Sequence, residues 1–481
     1  MPLLLTSMGG RIVYGTPNVI VAVAQVAYVL LVAGAYLRLP PRRAVLVATI
    51  VGFLLLPVFE GTAYEAPLLR TKAMLVGGVV LLGAVVADWR RLRRFRPGLL
   101  DLPMALLCLA PVATSLSNDL GLYDGLQGAF EMAMSWGAPY LLGRLYLGDP
   151  AGLRALATAV VVGAMAYVPL CLWEVRMSPQ LHHDLYGFRP HAGFIQTVRF
   201  GGYRPSVFMD HGLMVGMFMA GGALLAVWLW RTGARRAILG VPTGWIAVVL
   251  VGTSILTKSV GAILLLVAGL VVLVLSSRLR TAVLVLALAA VPPVYVGARL
   301  SGWSARELVD LAGDVINADR AQSVEFRIRN EDMLAEKAME RPWLGWGRWG
   351  RGRIYNESGK DISTTDGAWI IALSGGGLLA LASRLLVVLL PALAVLRVIP
   401  VRRWRDPRLA ATAALLVWLL LWGVDNLANS MLSPLFPLAA GALGTLYLRA
   451  RALRALRSHG RPHRARSFNG GEAHPIGGHA A

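Results

Sequence analysis

The residues of this chain that could do chemistry gather at the ends of its apolar stretches. Arg204, Asp210 and His211 fall in Arg199-Phe-Gly-Gly-Tyr-Arg204-Pro-Ser-Val-Phe-Met-Asp210-His211. Arg327 and Arg329 stand in Glu325-Phe-Arg327-Ile-Arg329, Asp366 in Ser363-Thr-Thr-Asp366-Gly-Ala-Trp369, and Lys258 in the short turn Thr257-Lys-Ser-Val-Gly261. Arginine is always charged and offers phosphate a planar fork of donors. A carboxylate or imidazole can take a proton from an attacking hydroxyl. Each residue also has a plainer use. Asp210 and His211 could cap a helix, Asp366 could favour a helix start through the dipole, and Lys258 could anchor a helix at an interface. Arg327 and Arg329 are two apart, so on a helix they face different ways and at most one points at a shared site. Asp425 and Asn426 read as a polar helix stop.

The elements that must position these residues are set by composition. Of 481 residues, 56% are hydrophobic and 15% charged, against about a quarter charged in a soluble domain. The apolar residues form unbroken runs, many near the roughly 18 residues needed to cross a bilayer as a helix. No alternation with closely spaced turns suggests a membrane barrel. The fold class is therefore an all-α, polytopic transmembrane helix bundle. Its spans fall near 18–37, 44–59, 73–88, 99–117, 124–143, 154–173, 206–230, 240–256, 260–276, 281–297, 367–396, 409–424 and 432–449, about 12–13 in all. This divides the chain into N-terminal spans (1–173), a first long loop (174–205), central spans (206–297), a large second loop (298–366), C-terminal spans (367–449) and a basic tail (450–481) that is disordered at its end. No internal repeat is visible.

The net charge of +21 does not imply nucleic acid, because no basic patch with interleaved aromatics stands clear of the spans. It follows the positive-inside rule instead. The short loops on one side, with the tail, carry 27 Lys and Arg, and those on the other side carry 4. The amino terminus is then outside, the carboxyl terminus is cytoplasmic, and both long loops lie on the outer face. Cys108 and Cys171 fall within spans and form neither a disulfide framework nor a metal site. No HExxH motif or carboxylate cluster marks a metal either.

The second loop is partly helical. Ser304 and Glu307 have capping-box spacing, with Leu308, Leu311, Ala312 and Val315 following at helical intervals. A second helix runs from about Ser323 to Glu340 and stops before Pro342. Residues 345–352, Gly-Trp-Gly-Arg-Trp-Gly-Arg-Gly, read as a tight loop.

Over residues 195–445 this order of elements resembles the O-antigen ligase and polysaccharide polymerase superfamily of bacterial membrane glycosyltransferases. Arg327 precedes Pro342-Trp-Leu-Gly345-Trp-Gly347 at the spacing of the family's Arg and Pro-x-x-Gly-x-Gly. Asp366, Gly367 and Gly377 fall where ligases have His, a small residue and Gly, and an acid at the first position is similar to polymerase-type members. Arg204 with Asp210-His211 matches the family's first-loop Arg and polar pair. The turn at Lys258 is similar to the family's Thr-x-Ser-Arg-Gly, with Val260 in place of the Arg.

The resemblance implies an inner-membrane enzyme that transfers or polymerises an undecaprenyl-diphosphate-linked glycan onto a glycan or lipid-linked acceptor. It would need no cofactor and could work beside polysaccharide assembly proteins. Arg204, Arg327 and Asp366 would be catalytic, with Arg329, Asp210, His211 and Lys258 binding substrate. Two other classes compete. A lipid-linked oligosaccharide flippase would carry charges deep inside spans, whereas here the polar residues gather at the outer mouths, with Glu131 and Arg384, at or within spans, as the exceptions. A non-catalytic envelope-assembly protein would use its loops only for docking. The charge asymmetry is testable: a phosphatase fused near residue 190 or 350 is expected to be active, and one near residue 95 or 405 inactive. Reversed activities would remove the outer-face assignment of both long loops.

Overall fold

The computed structural model describes residues 4–6, 12–59, 70–190, 194–315 and 318–459. Each apolar run is helical. The helices are α1 (Val19–Arg38), α2 (Pro41–Leu55), α3 (Lys72–Arg93), α4 (Leu102–Ser117) and α5 (Gly121–Met132), which runs through a π turn at Ala133–Gly137 into α6 (Ala138–Tyr146). There follow α7 (Pro150–Met177), the short α8 (Leu181–Tyr186), α9 (Gly212–Arg231), α10 (Thr243–Leu256), α11 (Val260–Leu279) and α12 (Val283–Leu300). The second loop holds α13 (Arg306–Val315) and α14 (Ala318–Met339), and the chain ends with α15 (Ala368–Val398), α16 (Ala410–Ala428) and α17 (Leu435–His459). Among the described residues, nine helices are long and apolar enough to cross a membrane: the helix at Leu99–Ser117 together with α1, α3, α7, α9, α11, α12, α15 and α16. The chain is an all-α, polytopic membrane bundle.

Its centre is made by α9 and α16, whose membrane windows are 89% and 94% buried. Neither helix has an apolar stripe, because each is apolar all round and packed on every side. Small residues let neighbours approach. The Trp418 ring lies against Gly221, and Gly143 and Gly441 bring α6 and α17 into backbone contact.

The Arg-rich connections converge on one end of the bundle. Asp149 caps α7 through the Gly152 N–H and pairs with Arg42 and Arg449. Burial works against the charged Asp149 carboxylate, but those partners outweigh it and hold the group below its ordinary range. Nearby, Arg144 makes a two-bonded fork to Asp101 at 2.7 and 2.8 Å. At the other end lie both long loops. There Gly15 and Tyr14 of the strand β2 (Ile12–Gly15), which also pairs with β1 (Leu4–Thr6), join the two-residue strand β3 (Phe188–Arg189) of the first loop.

Three sequence expectations need correction. Ser304 and Glu307 do not form a reciprocal cap: Glu307 accepts from the Trp303 indole at 2.9 Å instead. Asp425 and Asn426 are not a helix stop. Both are buried in the last turn of α16, which continues to Ala428. Residues 450–459 of the basic tail belong to α17, and residues 460–481 lie outside the described residues.

Helix α15 is broken at Gly377, whose φ of 62° and ψ of −162° are open in practice only to glycine. A break in a membrane helix strands backbone donors and acceptors, and the Pro342–Gly347 turn takes them up. Leu378 N and Leu379 N donate to the carbonyls of Pro342 and Trp343 at 2.7 and 3.2 Å, while Trp346 N and Gly347 N donate to Ser374 O and Gly375 O at 2.8 and 3.0 Å. A side chain on Gly345 would strike Gly376 and Gly377, and one on Gly377 would strike Trp343. The spaced glycines serve this backbone-to-backbone dock. The turn is held from its far side too: Asn118 donates to Gly345 O and accepts from Arg341, and Arg351 reaches Asn118 O. Gly377→Ala should therefore cost roughly 1–3 kcal/mol from backbone strain alone, seen as a lower melting temperature in detergent. An unchanged melting temperature would mean that the break is not held as described.

Candidate functional site

The first group of site residues is built around Glu174 at the end of α7. Its side chain is fully buried, yet its carboxylate is satisfied. One oxygen accepts from Ser206 N and Val207 N at 2.8 and 2.7 Å, and the other accepts from Leu181 N at 3.0 Å. The same turn is held by Tyr167, whose hydroxyl accepts from Phe208 N at 3.0 Å, and by Lys72, whose ammonium donates to Phe208 O at 2.7 Å. Lys72 also lies in electrostatic reach of Asp210. His182 completes the seat. One ring nitrogen accepts from Val58 N at 3.0 Å, which leaves the other to donate to Phe188 O at 2.8 Å. Burial pushes its pKa down to about 4, so the ring is neutral at pH 7 and acts as a fixed support.

This seat sets the geometry of Arg204. A small hairpin, β4 (Val198–Arg199) with β5 (Gly202–Tyr203), leads into it, and Arg204 N donates to Thr197 O at 2.7 Å. The Arg204 stem lies against Gly212, in space that a side chain there would fill. Its guanidinium donates to Lys258 O at 3.3 Å. Lys258 has a left-handed backbone, φ 54°, and its ammonium reaches Phe200 O at 3.3 Å. His211 does cap α9, since its Nδ1 accepts from Leu213 N at 3.0 Å. Its other nitrogen lies 3.3 Å from the Gln196 amide oxygen. Arg204, Asp210, His211, Gln196, Arg189 and His183 line one open pocket. Asp210, histidines and two guanidinium groups thus share one space.

The second group lies where α14, α15 and α16 meet. Arg327 Nε is 3.3 Å from an Asp366 oxygen, and its Nη1 donates to Ala428 O at 3.2 Å. Asp366 does not cap α15. The cap position is Gly367, with no side-chain bond, and Ala368 N is taken up by Asn429 O at 3.1 Å. Behind the pair sits buried Asp425, which accepts from Asn429 at 2.7 Å and lies within electrostatic reach of Arg327.

Helix α14 is fixed by Asn330, which accepts from Thr364 N at 2.8 Å. Glu331 also anchors it, bonded to Tyr295, Arg299 and Trp369. Burial raises the Glu331 carboxyl despite those partners. Just before Asp366, burial would raise Asp361, but bonds from Arg353 and Ser363 hold it below the usual carboxylate range.

Arg329 is not in the site. It projects to the surface and pairs with Glu325 one turn away at 2.8 Å, as its offset of two residues from Arg327 requires. The two groups are joined through α9 and α16, which pack together. Met214 in the first turn of α9 and Asp425 in the last turn of α16 line a common cleft. Among the described residues, no group of three or more His, Cys, Asp or Glu is placed to hold a metal ion.

Sequence reasoning missed Glu174, Lys72, Arg189 and Asp425. Lys72 carried a faint signal, being one of the few cations in short loops on its side of the charge count. Glu174 and Asp425 carried none beyond being acids near span ends. The chain matches no protein-family model and no curated protein.

Glu174→Gln keeps the shape but leaves one oxygen for three N–H groups and turns an amide toward at least one donor. A loss of about 1–3 kcal/mol is expected, expressed locally as faster proteolysis between residues 194 and 211 in detergent. Equal cleavage rates in parent and variant would show that Glu174 does not hold this loop.

Proposed function

We propose that this chain is a membrane glycosyltransferase that transfers or polymerises a saccharide carried on a polyprenyl diphosphate, undecaprenyl diphosphate in bacteria, on the face bearing its two long loops. The observation that carries this reading is the Arg327–Asp366 pair at 3.3 Å, in which the acid is not spent on capping its helix. An ion pair of this exposure, without a capping duty, can exchange partners. A diphosphate arriving at Arg327 competes for the guanidinium, and the Asp366 carboxylate is then released toward an acceptor sugar.

In this mechanism the acceptor hydroxyl oxygen attacks the anomeric carbon of the donor. The bond between that carbon and the diphosphate oxygen breaks, and the proton of the hydroxyl passes to Asp366. The polyprenyl diphosphate leaves with its negative charge on Arg327 and Arg204. Diphosphate needs charge stabilisation more than protonation, and fixed donors at the site of developing charge are often the largest catalytic contribution. The apolar cleft between α9 and α16 at Met214 offers a wall for the lipid between the two arginines. Ligase-type and polymerase-type chemistry differ only in the acceptor.

The test uses purified protein and a labelled polyprenyl-diphosphate glycan. As base, Asp366 supplies about 10²–10⁴-fold, so Asp366→Asn should lower transfer by roughly a hundredfold or more with folding and donor binding retained. Arg204→Lys and Arg327→Lys should each impair transfer, because a point charge does not replace a two-pronged donor. Parent-like transfer by Asp366→Asn and both Lys variants would overturn the proposal. Transbilayer movement of the glycan without transfer would point to a flippase, and binding with neither to an assembly protein.

A further inference from the structure

Charges near the membrane-spanning helices almost all have partners. Glu131 of α5 meets Arg348 of the second loop at 3.0 Å, Arg144 meets Asp101, and Arg299 meets Glu331 and Asp332. Arg384 is different. It lies in the second half of α15, about 10 Å below the Gly377 break at 1.5 Å per residue. Among the described residues it has no acidic partner. Its guanidinium carbon stands 4.7 Å from the centre of the Trp136 ring, which the π turn between α5 and α6 brings there. Its Nε is buried with no hydrogen bond. A cation–π contact offsets only part of the cost of holding a cation in hydrocarbon.

Arg384 opens onto a narrow groove between α12, α15 and α16. The walls are Leu381, Leu385, Val388 and Leu389 of α15 with Pro292 of α12, and the other polar group is Asn426, whose amide oxygen is buried without a donor. An apolar slot with one unmatched cation and one unmatched acceptor fits an amphiphile. Its head must be anionic and carry a hydroxyl, and its tail must be hydrocarbon. The bilayer itself supplies such molecules at high concentration.

We propose that this groove is a lateral site for an anionic, hydroxyl-bearing membrane phospholipid. The phosphate pairs with Arg384, a headgroup hydroxyl donates to Asn426, and a chain lies along the leucines. The site is separate from the Arg327–Asp366 pair and does not rest on the transferase reading. The bound lipid supplies the counter-charge that the protein lacks and ties α12 to α15 and α16.

The experiment is thermal unfolding of delipidated protein in neutral detergent, titrated with phosphatidylglycerol, phosphatidylethanolamine or a polyprenyl monophosphate. Phosphatidylglycerol should raise the melting temperature saturably, and phosphatidylethanolamine should not. Arg384→Gln should weaken the phosphatidylglycerol response by about tenfold or more. Asn426→Leu, which removes no charge, should weaken it severalfold and keeps the proposal testable if the Arg384 variant fails to fold. A phosphatidylglycerol response unchanged in the Arg384 or the Asn426 variant overturns the site. Equal responses to the two phospholipids overturn its anion preference. A stronger Arg384-dependent response to polyprenyl monophosphate than to phosphatidylglycerol overturns the assigned occupant.

Discussion

A helix cannot be interrupted at membrane depth unless something takes over its backbone hydrogen bonds. That constraint organises the loop-bearing half of this protein. The break at Gly377 frees donors and acceptors on α15, and the Pro342–Gly347 turn supplies their partners. Once docked, the turn fixes where α14 ends, since α14 stops at Met339 just before it. The end of α14 in turn sets the height at which Arg327 meets Asp366. The short N-terminal half of α15, beginning at Ala368, is held by Asn429 at the end of α16. The ion pair thus sits on a frame of main-chain bonds, which is more rigid than side-chain packing alone.

The first loop meets the same demand by a different device. Its turn before α9 has no helix or strand to satisfy it, so one buried carboxylate does the work of a secondary structure. Glu174 collects three N–H groups from two segments, and Tyr167 and Lys72 take the N–H and the carbonyl of the next residue, Phe208. Charge inside a membrane protein is costly unless used. Here the buried charges of the loop-bearing end hold backbone, as Glu174 does, or bond to side chains of neighbouring segments, as Glu331 and Asp124 do.

Much of the fold was legible in the sequence, because a bilayer demands long apolar runs and such runs are visible without knowing what they touch. Helix α14 was legible from its stop before Pro342. The break in α15 was not. Gly375, Gly376 and Gly377 lie within an apolar run, and three glycines weaken a helix without saying where it parts. The break is specified by a turn some thirty residues earlier in the chain, through backbone atoms that carry no sequence signature. The candidate site was legible as a set of polar residues at span ends, and their order separated Arg327 from Arg329 only to the extent of excluding that both face one way. That Asp366 meets Arg327 instead of capping its own helix, and that Asp425 stands behind them, are facts of packing between distant segments. Glu174 and Lys72 bind mainly main-chain atoms, which every residue possesses, so no pattern of residue types announces them.

The hydrogen bonds between distant loops also fix the parity of the crossings. A paired strand cannot straddle a bilayer, so the bonding of Gly15 to Phe188 requires an even number of crossings between them. Six helical segments lie in that interval only if the short α2 is counted with α1, α3, α4, the α5–α6 unit and α7. The bond from Arg204 to Lys258 makes the same demand of α9 and α10. Yet α2 has 15 residues and α10 has 14, spanning about 22 and 21 Å against a hydrocarbon thickness of about 30 Å. Helix α2 is mostly enclosed by its neighbours, so its short length is matched by protein. Helix α10 turns Trp245, Val248 and Ile255 outward, and so short an apolar face meets a bilayer by local thinning, by snorkelling of its flanking residues or by association with another chain.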